Sequence, residues 1–300
     1  MRQQGSNFHQ TSPNDDASSA FVKASPDCRV YGETLALDEF RLIYLWAAED
    51  TAQPLHVSIK VYRYENCPEY ETVSYTWGGE NQASRLCRPI YVDDYYDILM
   101  QTKNCWEMLR WLRPEHGVRV LWVDAICINQ QNLAERSHQV ASMGRIYTEC
   151  SQVTLWLGSD LVQRKPGFYP RRQRLAKLRE ARVHQRRGTT SNETMDIYKL
   201  LDRRYFSRLW IIQELVLAPR VVIPLMDWVF WADGSDLSLP GHVDWAETRA
   251  PWFSHLAQTT IPTEDLFELV SYASRSEAAD SRDRLFGVLG LRTEGSEEAI

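Results

Sequence analysis

A carboxylate at the end of an apolar strand, followed by a polar loop, is a common starting point for electrostatic or acid–base chemistry, and residues 121–158 contain one. Val118 to Val123 is an apolar, β-branched run suited to a strand buried on both faces, and Asp124 stands where that strand would leave the sheet. In open α/β sheets, ligands collect beyond the carboxyl ends of the strands. Asp124, Asn129 and Gln130 therefore lie where a small molecule or a partner loop would be met. The competing role for Asp124 is to organise its own turn by accepting from the amides around Cys127 to Gln130. A second cluster, Trp77-Gly78-Gly79, follows the apolar run Tyr70 to Thr76. Its glycines permit a tight turn or a close backbone approach to a ligand, but their spacing is not that of a dinucleotide fingerprint or a P-loop. Tyr75 faces core or cleft according to the register of its strand. Arg136 and Arg208 are cations that can hold an anionic phosphate or pair with Glu135, Glu214 or another acid. Cys127 with His138 as its base would form a nucleophilic pair only if the fold joined them, and buried cysteine is commoner than reactive cysteine.

The elements that must position these groups follow from periodicity. Asn132 caps a helix, with Glu135 three residues on in a capping-box-like pattern, and Val140, Met143, Ile146 and Tyr147 form its buried face. Val153 to Leu157 is the next strand, so the unit is βαβ-like and predicts a parallel pair with a right-handed crossover. Upstream, Phe40 to Trp46 and Leu55 to Val61 read as a strand hairpin. Tyr91 and Val92 belong to a short strand before Asp94 or Asp97, either of which would cap a helix burying Leu99, Trp106, Leu109 and Leu112. Downstream, residues 193–202 read as helical. A further helix covers Phe206 to Ala218 and stops at Pro219, and Val221 to Leu225 is a strand. Residues 226–262 show no clear period, and helices are expected over Thr263 to Tyr272 and Asp283 to Leu291. Trp122, Trp156 and Trp210 are assigned to packing.

Three hundred residues are enough to bury a sizeable core. The polar first 28 residues are expected to be a disordered tail, residues 29–291 the folded domain, and 292–300 a short tail. The six cysteines are widely spaced with no C-x-x-C pair, which fits reduced thiols and offers neither a zinc ribbon nor a disulfide scaffold. No metal site is therefore expected. No apolar run has the length to span a bilayer and the N-terminus lacks the core of a secretory signal, so a cytoplasmic location is expected. The net charge of −6 hides an asymmetry: residues 161–188 carry ten Lys and Arg against the single acid Glu180, leaving 24 basic and 39 acidic residues elsewhere. This basic insertion reads as a solvated segment. With only Phe168 and Tyr169 as aromatics it gives little basis for stacking on bases, and nucleic acid is not an expected partner.

Several separated segments, in order, resemble the fungal heterokaryon-incompatibility (HET) domain. They are Glu71-Thr-Val-Ser-Tyr-Thr-Trp-Gly78, Leu121-Trp-Val-Asp-Ala-Ile-Cys-Ile-Asn-Gln130, Glu135-Arg136 with Gln139, Met143 and Tyr147, and Tyr205-Phe-Ser-Arg-Leu-Trp-Ile-Ile-Gln-Glu214. Arg41-Leu-Ile-Tyr-Leu45 and Ser281-Arg-Asp-Arg-Leu-Phe-Gly-Val-Leu-Gly290 extend the resemblance to about residues 38–291. Val221-Val-Ile-Pro224 stands where the family usually has Cys-Gly, and an ending at Ile300 implies a HET-only protein or a truncated one. The resemblance implies a part in self/non-self recognition and programmed cell death. It also implies self-association or binding to other incompatibility proteins, with no required cofactor.

The same segments are more distantly similar to Toll/interleukin-receptor (TIR) domains, with Ser207-Arg-Leu-Trp210-Ile-Ile-Gln-Glu214-Leu215 matching their Ser-x-Trp-x-x-x-Glu-Leu-like helix. That resemblance implies an α/β fold: a TIR/flavodoxin-like, central, mostly parallel sheet flanked by helices, with an N-terminal β-hairpin and mainly irregular or helical C-terminal additions. Some TIR domains hydrolyse NAD at the nicotinamide–ribosyl bond with the Glu of this helix; others only assemble signalling complexes. Glu214 is thus the candidate catalytic carboxylate. Tyr75, Trp77, Gly78, Gly79, Asp124, Asn129, Gln130, Arg136 and Arg208 are the candidate substrate-binding set, with Trp77 placed to meet the nicotinamide. The favoured expectation from sequence is a self-associating signalling domain; the alternative is an NAD glycohydrolase.

Overall fold

In the computed structural model the described residues are 29–162 except 33 and 51, then 174–177, 200–225, 228–232, 248, 249, 276, 277, 287 and 291. The expected helices over 193–202, Thr263 to Tyr272 and Asp283 to Leu291 lie wholly or largely outside them, as do the two tails, most of the basic insertion and most of 226–262.

The described strands form one mixed ten-stranded sheet. In chain order they are β1 (Glu39–Trp46), β2 (His56–Arg63), β3 (Glu71–Tyr75), β4 (Leu86–Val92), β5 (Asp97–Thr102), β6 (Val118–Trp122), β7 (Val153–Trp156), β8 (Arg174–Lys177), β9 (Val221–Leu225) and β10 (Trp228–Ala232). Across the sheet the order is β5-β4-β2-β1-β6-β3-β7-β9-β10-β8. The helices are α1 (Lys103–Leu112), α2 (Asp124–Cys127), α3 (Leu133–Ala141), α4 (Met143–Glu149) and α5 (Trp210–Val216). This is the α/β class expected from sequence.

The centre is a parallel block, β6-β3-β7-β9, in which β3 is flanked by β6 and β7, and β7 by β9. Numbered along the chain within the block the order is 2-1-3-4, the flavodoxin-like order, whose switch point falls between β3 and β7. β6 and β7 are parallel to the same neighbour and do not pair with each other, so the expected βαβ pair is corrected: β3 lies between them. The β1–β2 hairpin forms as expected and joins the block through antiparallel pairing of β1 with β6. Apolar side chains on both faces of β1, with Phe40, Leu42, Ile43 and Leu45 all buried, join Leu121, Trp122, Val153 and Trp156 in the core.

Two local expectations give way to longer-range structure. Asp97 starts a strand and caps no helix, because residues 97–102 pair antiparallel with β4; the α1 cap is Thr102, whose hydroxyl accepts from the Cys105 amide at 3.2 Å. The helix expected to run continuously past Val140 is broken at Ser142 into α3 and α4. Asn132 caps α3, accepting from the Glu135 amide at 3.1 Å, but Glu135 does not reciprocate: its carboxylate turns inward to Arg41. The helix expected from Phe206 is a 3-10 turn at Arg204–Ser207 followed by α5 from Trp210.

Candidate functional site

The strands of the parallel block place three chain segments at one edge. Beyond β3 lie Trp77, Gly78 and Gly79; beyond β6 lies Asp124; beyond β7 lie Gly158 and Asp160. The segment from Arg203 to Glu214 packs across them.

Ser74, near the end of β3, donates its hydroxyl proton to the Glu214 carboxylate and exchanges a second hydrogen bond with the Tyr205 hydroxyl. With the Ser74 proton committed to Glu214, Tyr205 is the donor of that second bond. Ser74, Tyr205 and Glu214 are all buried. One residue further along, the Tyr75 carbonyl accepts from the Arg208 guanidinium at 2.5 Å. Tyr75 itself faces inward and is buried, with its hydroxyl beside the Asp124 carboxyl and the Cys105 thiol. The Trp77 indole donates to Asp124 Oδ2 at 2.7 Å, while Oδ1 accepts from the Ala125 amide at 2.7 Å. Asp124 thus ties the β3 and β6 ends together and organises the first turn of α2. The amides from Cys127 to Gln130 do not donate to its carboxylate; the Ile128 amide donates to the Asp124 carbonyl at 3.3 Å, as does the Gln130 side-chain amide at 2.9 Å.

The glycine loop has a defined shape. A Cβ on Gly78 would lie 2.7 Å from the Gln82 carbonyl carbon, and Gly79 has φ of +62°, so both positions call for glycine. Asn104, in the first turn of α1, braces this loop. It donates to the Thr76 carbonyl at 2.5 Å and accepts from the Trp156 indole at 3.0 Å, linking β3 to β7 across the switch point.

Burial sets the electrostatics. The Glu214 carboxyl is pushed up to about 7 by loss of solvent, opposed by the Arg208 charge and the Ser74 hydrogen bond and reinforced by the negative charge of Asp124. Asp124 is raised too, again by burial first, with Trp77, Arg208, the Ala125 amide and Tyr75 pulling the other way. The two carboxyls and Arg208 therefore share one electrostatic neighbourhood. Burial also lifts the thiols of Cys105 and Cys127 to about 12, which leaves both protonated and inert at neutral pH. Cys127 Sγ accepts from the Val123 amide and the His138 ring bonds the Leu37 carbonyl, so the described contacts do not join them as a nucleophile and base.

Of the residues singled out from sequence, Tyr75, Trp77, Gly78, Gly79, Asp124, Gln130, Arg208 and Glu214 converge on this edge. Asn129 shapes the loop, its amide donating to Glu135 at 2.8 Å and its side chain accepting from the Gln131 amide at 3.1 Å. Arg136 is exposed on α3, and no described contact links it to the Glu214 group.

Residues 70–214 match the family described as heterokaryon incompatibility protein (HET). These residues are thus similar to the HET family. The matched region begins at the threshold of β3, the first strand of the parallel block, and ends on Glu214. The chain is 24% identical over 328 aligned positions to "Heterokaryon incompatibility protein 6, OR allele" of Neurospora crassa, covering 87% of this chain and 48% of that protein. It therefore spans about half the length of the curated relative it matches. No solved structure matches the chain, and the TIR resemblance rests on the sequence segments alone.

Sequence reasoning passed over several contacts that shape this site. Ser74 and Tyr205 lay inside quoted motifs without a role. Asn104 carried no signal beyond its place after Thr102. Arg41 did carry one: it is a charge in the middle of the apolar strand Glu39–Trp46 and is buried in the fold. It donates to Glu135 at 2.5 Å and to the Cys127 carbonyl at 3.2 Å, anchoring the loop that follows Asp124. Among the described residues no helix is long and apolar enough to cross a membrane, and no cluster of His, Cys, Asp and Glu fits a metal ion.

Proposed function

We propose that this chain is a HET protein acting in fungal self/non-self recognition leading to cell death, and that the crevice between β3 and β7 is its effector site, hydrolysing the nicotinamide–ribosyl bond of NAD. The observation that supports this reading is the meeting of Glu214, Asp124, Arg208 and the Trp77-Gly78-Gly79 loop at the switch point of a parallel block, where open α/β sheets bind ligands. In the proposed reaction the C–N bond to the ribose breaks with its electron pair passing to the nicotinamide nitrogen. Water adds to the ribose carbon and releases a proton, giving nicotinamide and ADP-ribose. The positive charge that develops on the ribose is stabilised by the ionised Glu214 carboxylate, as carboxylates stabilise oxocarbenium character in glycoside hydrolysis. Arg208 supplies a cation for the diphosphate, and the Trp77 ring an apolar face for nicotinamide.

The test is product analysis on purified protein given NAD. Equal amounts of nicotinamide and ADP-ribose are expected from wild type, with turnover reduced at least about 100-fold in Glu214→Gln by analogy with loss of a charge-stabilising group. No release from a folded wild-type sample overturns the hydrolase reading.

A second reading, self-association as a death-signalling scaffold, is favoured by the edge of the sheet. Among the described strands β5 is outermost, with Ile98 exposed and Leu86, Tyr95 and Tyr96 exposed beside it, an apolar edge of the kind that pairs with another chain. The two readings are compatible, since assembly at β5 leaves the crevice edge uncovered.

A further inference from the structure

The crevice in which the hydrolase reading places the chemistry is covered by the chain itself. The covering segment, Arg203 to Arg208, is tied down at both ends and in the middle. Tyr205 inserts its hydroxyl to Ser74, and Arg208 holds the Tyr75 carbonyl. At the outer end, Arg203 grips two loops at once. Its guanidinium makes a two-pronged contact with Asp160, Nη1 to Oδ2 at 2.9 Å and Nη2 to Oδ1 at 2.8 Å, and its Nε lies 3.4 Å from Glu80 Oε1. The other oxygen of Glu80 accepts the Arg204 amide at 3.0 Å. Glu80 follows the glycine loop of β3, and Asp160 follows β7. These are the two strands on either side of the switch point, so Arg203 bridges the mouth of the crevice.

The backbone is shaped for this bridge. Gly158 has φ of +127°, and a Cβ there would fall 2.6 Å from Asp160 Oδ1 and 3.0 Å from Arg203 Nη2, so only glycine lets the ion pair settle against the chain. With the bridge in place Ser74, Tyr205 and Glu214 are all buried.

We propose that Arg203 is a latch: its ion pairs with Glu80 and Asp160 hold segment 203–208 over Glu214 in a closed state, and their release opens the site to substrate. The idea rests on the reading of the crevice as the effector site. The Arg203 side chain is 13% exposed while that of Asp160 is 63% exposed, so one partner of the pair is screened by salt and open to competition by another charged group. A contact of that strength suits a switch, since surface ion pairs shift an equilibrium by about two- to fivefold each and the closed state can be left without unfolding the domain.

Amide hydrogen exchange read by mass spectrometry tests the latch without relying on turnover. In the Glu80→Gln/Asp160→Asn double variant, exchange over 204–208 is expected to accelerate by about three- to tenfold, while the β1–β2 hairpin exchanges as in wild type. Raising sodium chloride on the unaltered protein is expected to produce the same local acceleration, which guards against a variant that folds poorly. Unchanged exchange over 204–208 under both treatments, or acceleration equal to that of the hairpin, overturns the latch. Local acceleration with no nicotinamide released by any form supports the latch and contradicts the hydrolase reading, so the two ideas fail separately.

Discussion

Glu214 sits in the fold at an energetic cost that its neighbours only partly offset. Burial places its carboxyl at about 7 against an ordinary value of 4.5. At pH below 4.5 the folded and unfolded chains both carry the proton. Between 4.5 and 7 the unfolded chain loses it first, so the stability associated with the protonated folded carboxyl is progressively lost as pH rises through the folded value. The shift corresponds to about 3 kcal/mol as an order of magnitude. Glu214→Gln removes this titration, so urea denaturation at pH 5 and pH 8 should show wild type losing on the order of 2–3 kcal/mol more than the variant across that interval. Parallel losses would mean that Glu214 is not the titrating group. At this scale the sequence showed residue types but not contacts. Glu214 and Asp124 stood out as carboxylates at element ends. Ser74 did not, because its bond to Glu214 spans 140 positions along the chain.

At the scale of elements, the loop after Asp124 is fixed from the N-terminal hairpin. Arg41 on β1 and Glu135 on α3 form an ion pair with side chains 1% and 2% exposed, and both partners hold the Cys127 to Asn129 loop through its main chain. Removing one partner of a buried pair leaves the other charge uncompensated, so Glu135→Ala should cost about 3–5 kcal/mol, read as a fall in urea midpoint. A loss below about 1 kcal/mol, the value of an exposed pair, would show that the pair does not brace the loop. Most strands and helices were legible because hydrophobic periodicity is local, as in β1, β6 and β9. The misreadings have the opposite character. Asp97 looks like a helix cap in isolation, yet pairing with β4 makes 97–102 a strand. Glu135 sits at capping-box spacing, yet the buried Arg41 draws its carboxylate away.

At the scale of the molecule, the parallel block was legible as a class but its order was not. An apolar run ending in Asp and another beginning at Val153 imply parallel strands. That β3 separates them follows from pairings between strands distant along the chain. That insertion creates the switch point on which the proposed site depends. Among the described strands β5 is an edge of the sheet. If that edge carries assembly, Ile98→Lys should lower the mass of any oligomer measured by light scattering while leaving NAD turnover per chain intact; unchanged mass would remove β5 from assembly. The central claim, that Glu214 in its ionised form drives hydrolysis in this crevice, is met most directly by the pH dependence of nicotinamide release. Turnover should rise with pH to a plateau with a half-maximum near the Glu214 value of about 7, and the whole profile should collapse in Glu214→Gln. A profile retained in that variant would contradict the account.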